Sequence, residues 1–167
     1  MITTAKANDL LKQLFSGTSY SVSSGSVKET TNYYYIGLHT TQNGKTPDAD
    51  GNNFDEPAIP DGVTDEDGKV ITVNEYQRVY LFDTESGFKM GTPTDGIIKN
   101  IQPIMFPEAE HYGWGEITHF GIFTSKTGGK PIFIGELTTP QTIASGYIAI
   151  FRKYKLQVGL DRDPAAV

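Results

Sequence analysis

Carboxylates are the most conspicuous chemistry in this sequence. Eight acidic residues crowd the stretch from Asp48 to Asp67, with no Lys or Arg among them. Hard cations are held by clustered carboxylate and carbonyl oxygens, so Asp48, Asp50, Asn52, Asp65 and Asp67 are the candidate calcium ligands. Asp48-Ala49-Asp50-Gly51-Asn52 opens like an EF-hand loop but fails where the geometry is strict: Asn53 stands where Gly is required, and Ile59 where the bidentate Glu belongs. Asp65-Glu66-Asp67-Gly68 is a second, equally incomplete fragment. A solvated acidic loop accounts for both, and no metal is assigned.

The other chemistry-bearing residues are scattered. Three histidines, His39, His111 and His119, would have to converge to hold a metal, and nothing in their spacing brings them together. Glycoside hydrolysis needs two carboxylates at a set separation, and no spacing singles out a pair. There is no nucleophile elbow, zinc-protease helix motif, phosphate-binding loop or dinucleotide fingerprint. Gly128-Gly129-Lys130, followed by Pro131, is a turn and not a phosphate cradle. The lone tryptophan lies in Tyr112-Gly113-Trp114-Gly115, where flanking glycines could expose an aromatic face to a sugar or let the ring plug one end of a core. Tyr33-Tyr34-Tyr35 puts aromatics on both faces of one strand, one for the core and one for a neighbouring subunit, where Tyr is enriched. Tyr33, Tyr35 and Trp114 are therefore the candidate interface or receptor-facing aromatics. No catalytic residue and no cofactor is assigned.

Composition leans toward a Gly/Pro-punctuated, aromatic-rich β protein rather than an α/β enzyme. The 167 residues include 18 Gly, 9 Pro, 9 Tyr, 9 Phe and no Cys, which removes disulfides, thiolate ligands and cysteine nucleophiles together. Net charge is −6, yet outside the acidic stretch 14 basic residues face 12 acidic ones. That balance offers no footprint for nucleic acid or an anionic membrane surface. No apolar run is long enough to span a bilayer, and no charged segment followed by an apolar one marks a signal peptide.

Positioning elements follow from periodicity. Ala7, Leu10, Leu11 and Leu14 recur at helical spacing, with Thr3 or Thr4 as cap and Gly17 as terminator. This N-terminal helix, residues 1–17, must dock its apolar face, with Leu10, Leu11, Leu14 and Phe15 as the contacts. Residues 18–32 carry only a weak strand pattern. Period-two segments follow at 33–40, 76–82, 101–106, 116–124, 132–138, 147–152 and 155–160, separated by Gly and Pro turns, with Gly128-Gly129 as a hairpin signal. The fold expected is all-β, a jelly-roll-like antiparallel β-sandwich over 18–161 with one short N-terminal helix. A long acidic loop spans 41–75, and 162–167 form a C-terminal tail. Removal of residues 50–65 is expected to leave fold and assembly unharmed.

The order of segments resembles a family of small tailed-bacteriophage virion proteins, variously tail-fibre-like, head-fibre or capsid decoration proteins. After the helix, Tyr35-Ile36-Gly37-Leu38-His39-Thr40 matches its aromatic-x-Gly/Ala-Leu-His-Thr strand. A Gly-rich loop with an acidic residue (Glu56) then leads to Tyr76-Gln77-Arg78-Val79, Asn100 and Met105-Phe106-Pro107-Glu108-Ala109. The block Trp114-Gly115-Glu116-Ile117-Thr118-His119-Phe120-Gly121-Ile122-Phe123 is the strongest, and Gly135-Glu136-Leu137-Thr138, Gly146 and the final strand complete the series. The loop before Tyr76 is longer and more acidic than the pattern. The resemblance implies a non-enzymatic virion protein made in the host cytoplasm and carried on the exterior of head or tail. It implies self-association as a trimer or other symmetric oligomer, capsid or tail proteins as partners, and structural roles for Arg78 and His119. Decoration or head-fibre is favoured by the absence of a fibrous repeat. A tail or baseplate component touching the host receptor, with a host surface glycan as partner, is the alternative. A free carbohydrate-binding module is the third reading.

Overall fold

A computed structural model of the chain describes residues 3–15, 18–23, 26–31, 34–83 and 87–160. Tyr33, Gly17 and the 162–167 tail lie outside the described residues. The class is the expected one: antiparallel strands and a single N-terminal helix, α1 (Thr4–Phe15). The described strands pair as one sheet of four and four ribbons of two. Frequent turns and register shifts keep most of these strands to between two and six residues. Contacts divide the chain into two compact units, each discontinuous in sequence.

The first unit comprises the chain up to Tyr34, Tyr80–Ile104 and the segment from Phe151 onward. Thr3 caps the helix, its hydroxyl accepting from Lys6 N at 3.3 Å and its carbonyl from Ala7 N at 2.8 Å. Ala7, Leu11 and Phe15, spaced i, i+4 and i+8, are buried, whereas Leu10 and Leu14 are half-buried. Within the stretch that is weak in sequence, β1 (Thr18–Ser23) and β2 (Ser26–Thr31) pair antiparallel. Following β4 (Val79–Tyr80), β5 (Phe82–Asp83) pairs with β6 (Gly87–Phe88), and β7 (Ile97–Lys99) pairs with the C-terminal β12 (Gln157–Gly159). Asn100 is fully buried and holds the approach to β12: its Nδ2 donates to Gln102 O at 2.8 Å and Arg152 O at 3.0 Å, and its Oδ1 accepts from Leu156 N at 2.9 Å. A buried amide is retained only when its groups are paired, and these are.

The second unit comprises Tyr35–Val79 and Met105–Ile150. Its centre is β9 (Gly115–Phe123), flanked by β3 (Tyr35–Thr40) and β10 (Phe133–Ile143) in the order β10-β9-β3-β4. The β9–β10 hairpin turns at Gly128 and Gly129, both with positive φ, as the glycine pair signalled. β10 runs past its expected end at Thr138 because a register shift between Glu136 and Gln141 bulges Pro140 out of the ladder. β8 (Ile104–Glu108) and β11 (Ile148–Phe151) form a separate ribbon whose Phe106 meets Trp114 and Tyr76 at ring-centroid distances of 6.4 and 6.1 Å.

The acidic stretch is not a detachable surface loop. The cross-strand pair Gly37–Gly121 leaves a slot on one face of the sheet, and the segment 54–56 fills it. A Cβ on Gly121 would stand 2.9 Å from the Phe54 ring, and one on Gly37 would stand 2.7 Å from Glu56 Oε1. Phe54 packs edge-on to Phe123 at 5.3 Å, Asp55 N donates to His39 Nδ1 at 2.9 Å, and Asp55 O accepts from Thr40 N at 2.9 Å. Removing 50–65 therefore uncovers a sheet face, contrary to the expectation from composition. The separable part lies beyond Pro57, whose carbonyl accepts from Asn74 Nδ2 at 3.0 Å and closes the base of the excursion. Deleting residues 59–72 is expected to leave thermal denaturation cooperative, whereas deleting 50–65 is expected to abolish it, a contrast calorimetry reads directly.

Candidate functional site

The densest polar arrangement is built around Arg78, which the sequence offers only as part of Tyr76-Gln77-Arg78-Val79. Its side chain is 3% exposed, so each guanidinium N–H must find a partner inside the protein. Nε donates to Glu56 Oε1 at 2.9 Å and Nη2 to Glu56 Oε2 at 2.7 Å, a bidentate pair. Nη1 donates to Ser125 O at 2.9 Å and Gly128 O at 2.8 Å, pinning the turn between β9 and β10. The guanidinium carbon lies 3.4 Å from the centroid of the Phe123 ring, which covers one face. Tyr76 Oη donates to Glu56 Oε1 at 2.9 Å and accepts from Leu38 N at 2.7 Å. Burial, reinforced by the Glu56 charge, pushes the Tyr76 phenol well above its ordinary range, so this hydroxyl is a fixed donor and not a titrating acid. Four guanidinium hydrogen bonds and the Tyr76 hydroxyl tie the cluster together, and its chemistry is cohesion.

The residues singled out in sequence are distributed differently from a catalytic site. Trp114 is fully buried beside Tyr76 and Phe106, the core-plug alternative, and presents no face to a receptor. Tyr35 is half-buried. Leu11 and Phe15 are consumed by the chain's own interior, so of the expected docking contacts only Leu10 and Leu14 keep accessible surface. Among the candidate calcium ligands, Asp48 Oδ1 accepts from the backbone N of Asp50 and Asn52 at 3.0 and 2.9 Å, and Asp65 Oδ1 from Asp67 N and Lys69 N at 3.1 and 2.8 Å. These carboxylates shape two Asx turns. The hydrogen bond from the Asn52 amide holds the Asp48 carboxyl below its usual range.

The histidines separate into two roles. His39 and His119 face each other across β3 and β9, ring centroids 5.6 Å apart. Nδ1 of His39 accepts from Asp55, so Nε2 carries the proton and donates to Lys45 O at 3.0 Å. Burial, then the neighbouring His39, lowers the pKa of His119. His111 instead pairs with Glu75, and with Glu110 these form the trio of His and carboxylate groups whose ligand atoms approach within 4.8 Å among the described residues. The hydrogen bond to Glu75 raises the His111 pKa.

What sequence reasoning missed is an outward apolar face on the β8–β11 ribbon. Ile104, Phe106 and Ala149 point inward and are buried, while Met105, Ile148 and Ile150 alternate with them at 52%, 41% and 48% exposure. The signal was present: residues 147–151 are apolar at every position, which serves two buried faces and not one.

The second unit is thus a β structure clamped internally around Arg78 and apolar on an outward ribbon. The match to known families agrees. The family model described as podophage GP4 fiber I protein gp80 covers residues 1–159, and the chain belongs to that family, a bacteriophage fibre protein family of the virion. No curated protein matches the chain significantly. No described helix is long and apolar enough to cross a membrane.

Two outcomes follow from the site. Arg78→Ala strands the Glu56 carboxylate and is expected to cost about 3–5 kcal/mol in urea-denaturation stability, and Arg78→Lys is expected to restore little because a point charge cannot reproduce the bidentate fork. For His111, a folded pKa above the unfolded one gives stability fully present below about pH 6.5 and lost as pH rises through the folded value. His111→Gln is therefore expected to lower Tm at pH 5.5 more than at pH 8.5, as a melting series across that window would show.

Proposed function

We propose that this fibre-family chain is a non-enzymatic structural protein of the virion exterior, placed as a capsid decoration or head-fibre component, whose copies associate through the β8–β11 ribbon. The observation that carries the proposal is the outward face of Met105, Ile148 and Ile150, contiguous in alternation and free of charge. An exposed apolar face of this kind is characteristic of association surfaces. A second copy is the occupant that fits: among the described strands β8 and β11 pair with each other alone, so each offers an outer edge that can extend a neighbour's sheet. Leu10 and Leu14 offer a smaller, separate contact toward capsid or tail proteins. These 167 residues hold no fibrous repeat, which supports the head-side reading. A tail or baseplate position remains the second reading, favoured by the cleft described below.

Ile148→Lys combined with Ile150→Lys tests the ribbon. Both residues are exposed in the single chain, so its stability is expected to change by less than about 1 kcal/mol. Light scattering after size exclusion is expected to show a symmetric oligomer for the native protein and a monomer for the double variant. A native monomer, or an oligomer that survives both charges, would remove the ribbon as the association surface. Density for the chain in a particle reconstruction decides between head and tail.

A further inference from the structure

The first unit contains a cleft that the structural role leaves unused. It has a volume of about 350 Å³, within the range of small-molecule sites, and is lined by Thr92, Thr94, Asp95, Lys99, Ile101 and Tyr154 among others. Its two walls are rigid for separate reasons.

One wall is a tight turn, Thr94–Ile97, closed by Thr94 N to Ile97 O at 2.9 Å and Ile97 N to Thr94 O at 3.0 Å. Asp95 and Gly96 have φ of 53° and 72°, the left-handed pair of a type I′ turn, which an Asp-Gly sequence favours. Helix α1 braces the turn, since Gly96 N donates to Asn8 Oδ1 at 2.7 Å. The opposite wall is Tyr154, held at φ 64°, an uncommon conformation for a bulky side chain. Tyr154 N donates to Asn100 O at 2.8 Å, and the Asn100 amide grips the carbonyl of Arg152 and the N–H of Leu156 on either side. A fully buried asparagine thus keeps a large aromatic 52% exposed in a backbone conformation with a cost of its own.

We propose that this cleft binds one saccharide ring of a glycan. The chemistry of the lining selects that class. The exposed Tyr154 ring has the Lys153 ammonium over it, 4.9 Å from its centroid, and offers its remaining apolar surface and polar tip to the C–H face of a pyranose. The Asp95 carboxylate accepts from adjacent hydroxyls, the Lys99 ammonium donates, and the Thr92 and Thr94 hydroxyls do either. Among the described residues, no hydrogen bond within the chain engages any of these four side-chain groups, so all remain available to a ligand. Asp95 and Lys99 balance within the lining, so the Lys153 ammonium over the Tyr154 ring is the one added positive charge, fewer than the clustered cations that a nucleotide or phosphate site gathers. Preorganised walls reduce the ordering cost that otherwise weakens small-ligand binding. The inference holds wherever on the particle the chain sits, so its failure leaves the assembly proposal untouched.

Saturation-transfer NMR on the full chain, with a panel of hexoses, deoxyhexoses, N-acetylhexosamines and sialic acid at millimolar concentration, tests it. At least one sugar is expected to bind. Asp95→Asn preserves the turn, because Asn-Gly is equally suited to it, and is expected to weaken that sugar by about tenfold. Tyr154→Gly is expected to abolish binding while keeping the fold, since glycine adopts φ 64° without strain. Silence from the whole panel, or binding that is unchanged in Tyr154→Gly, would overturn the proposal.

Discussion

A single buried cation organises the second unit. Arg78 is almost wholly withdrawn from solvent where it lies, and four separate stretches of chain supply or shape the partners of its guanidinium. Glu56 comes from the acidic segment, Ser125 and Gly128 from the hairpin turn, Phe123 from the central strand, and Tyr76 from two residues upstream. Such a pair is weak as a source of net stability but strict as a selector, because every competing arrangement that separates the two charges strands one of them in a dry interior. The glycines opposite each other in β3 and β9 belong to the same constraint. Side chains at Gly37 and Gly121 would occupy the space into which Glu56 and Phe54 descend.

That dependence explains how a hydrophilic sequence covers a β-sheet. β3 is buried on both faces, an unusual condition in antiparallel sheets and one normally met by a helix or a second sheet. Here one covering layer is irregular chain: Phe54 over His39 and Phe123, Asp55 bonded to His39 and Thr40, Glu56 locked to Arg78. The acidity belongs largely to the turns on either side of this anchor, where Asp48 and Asp65 fold the backbone with their own carboxylates. A net charge of −6 is thus concentrated where it costs no core packing.

Local order was readable from the residues alone. The cap at Thr3, the Gly128-Gly129 hairpin and the central strand around Phe120 all rest on interactions between near neighbours or on period-two alternation, and each is where the pattern put it. Long-range partnerships were not readable. Nothing in Phe54-Asp55-Glu56, set among Gly, Asn, Pro and acidic residues, shows that it lies on Gly37 and Gly121. The helix illustrates the same limit: Leu11 and Leu14 look equivalent by spacing, yet only the former is fully covered. The division into two units left no compositional mark because each is assembled from segments far apart in sequence. The cleft beside Tyr154 needs three such segments at once, α1, the Asp95 turn and the residues before β12, although the Asp-Gly turn itself was visible.

Trp114 carries one further consequence. It is the sole tryptophan, it is fully buried between Tyr76 and Phe106, and its indole N–H has no hydrogen-bond partner among the described residues. Its emission therefore belongs to a buried environment and originates within the second unit. Fluorescence monitors that unit alone, while circular dichroism sums backbone from both. Denaturation curves recorded by the two methods will superimpose only if the units melt together, so the chain contains its own optical gauge of how tightly its halves are coupled.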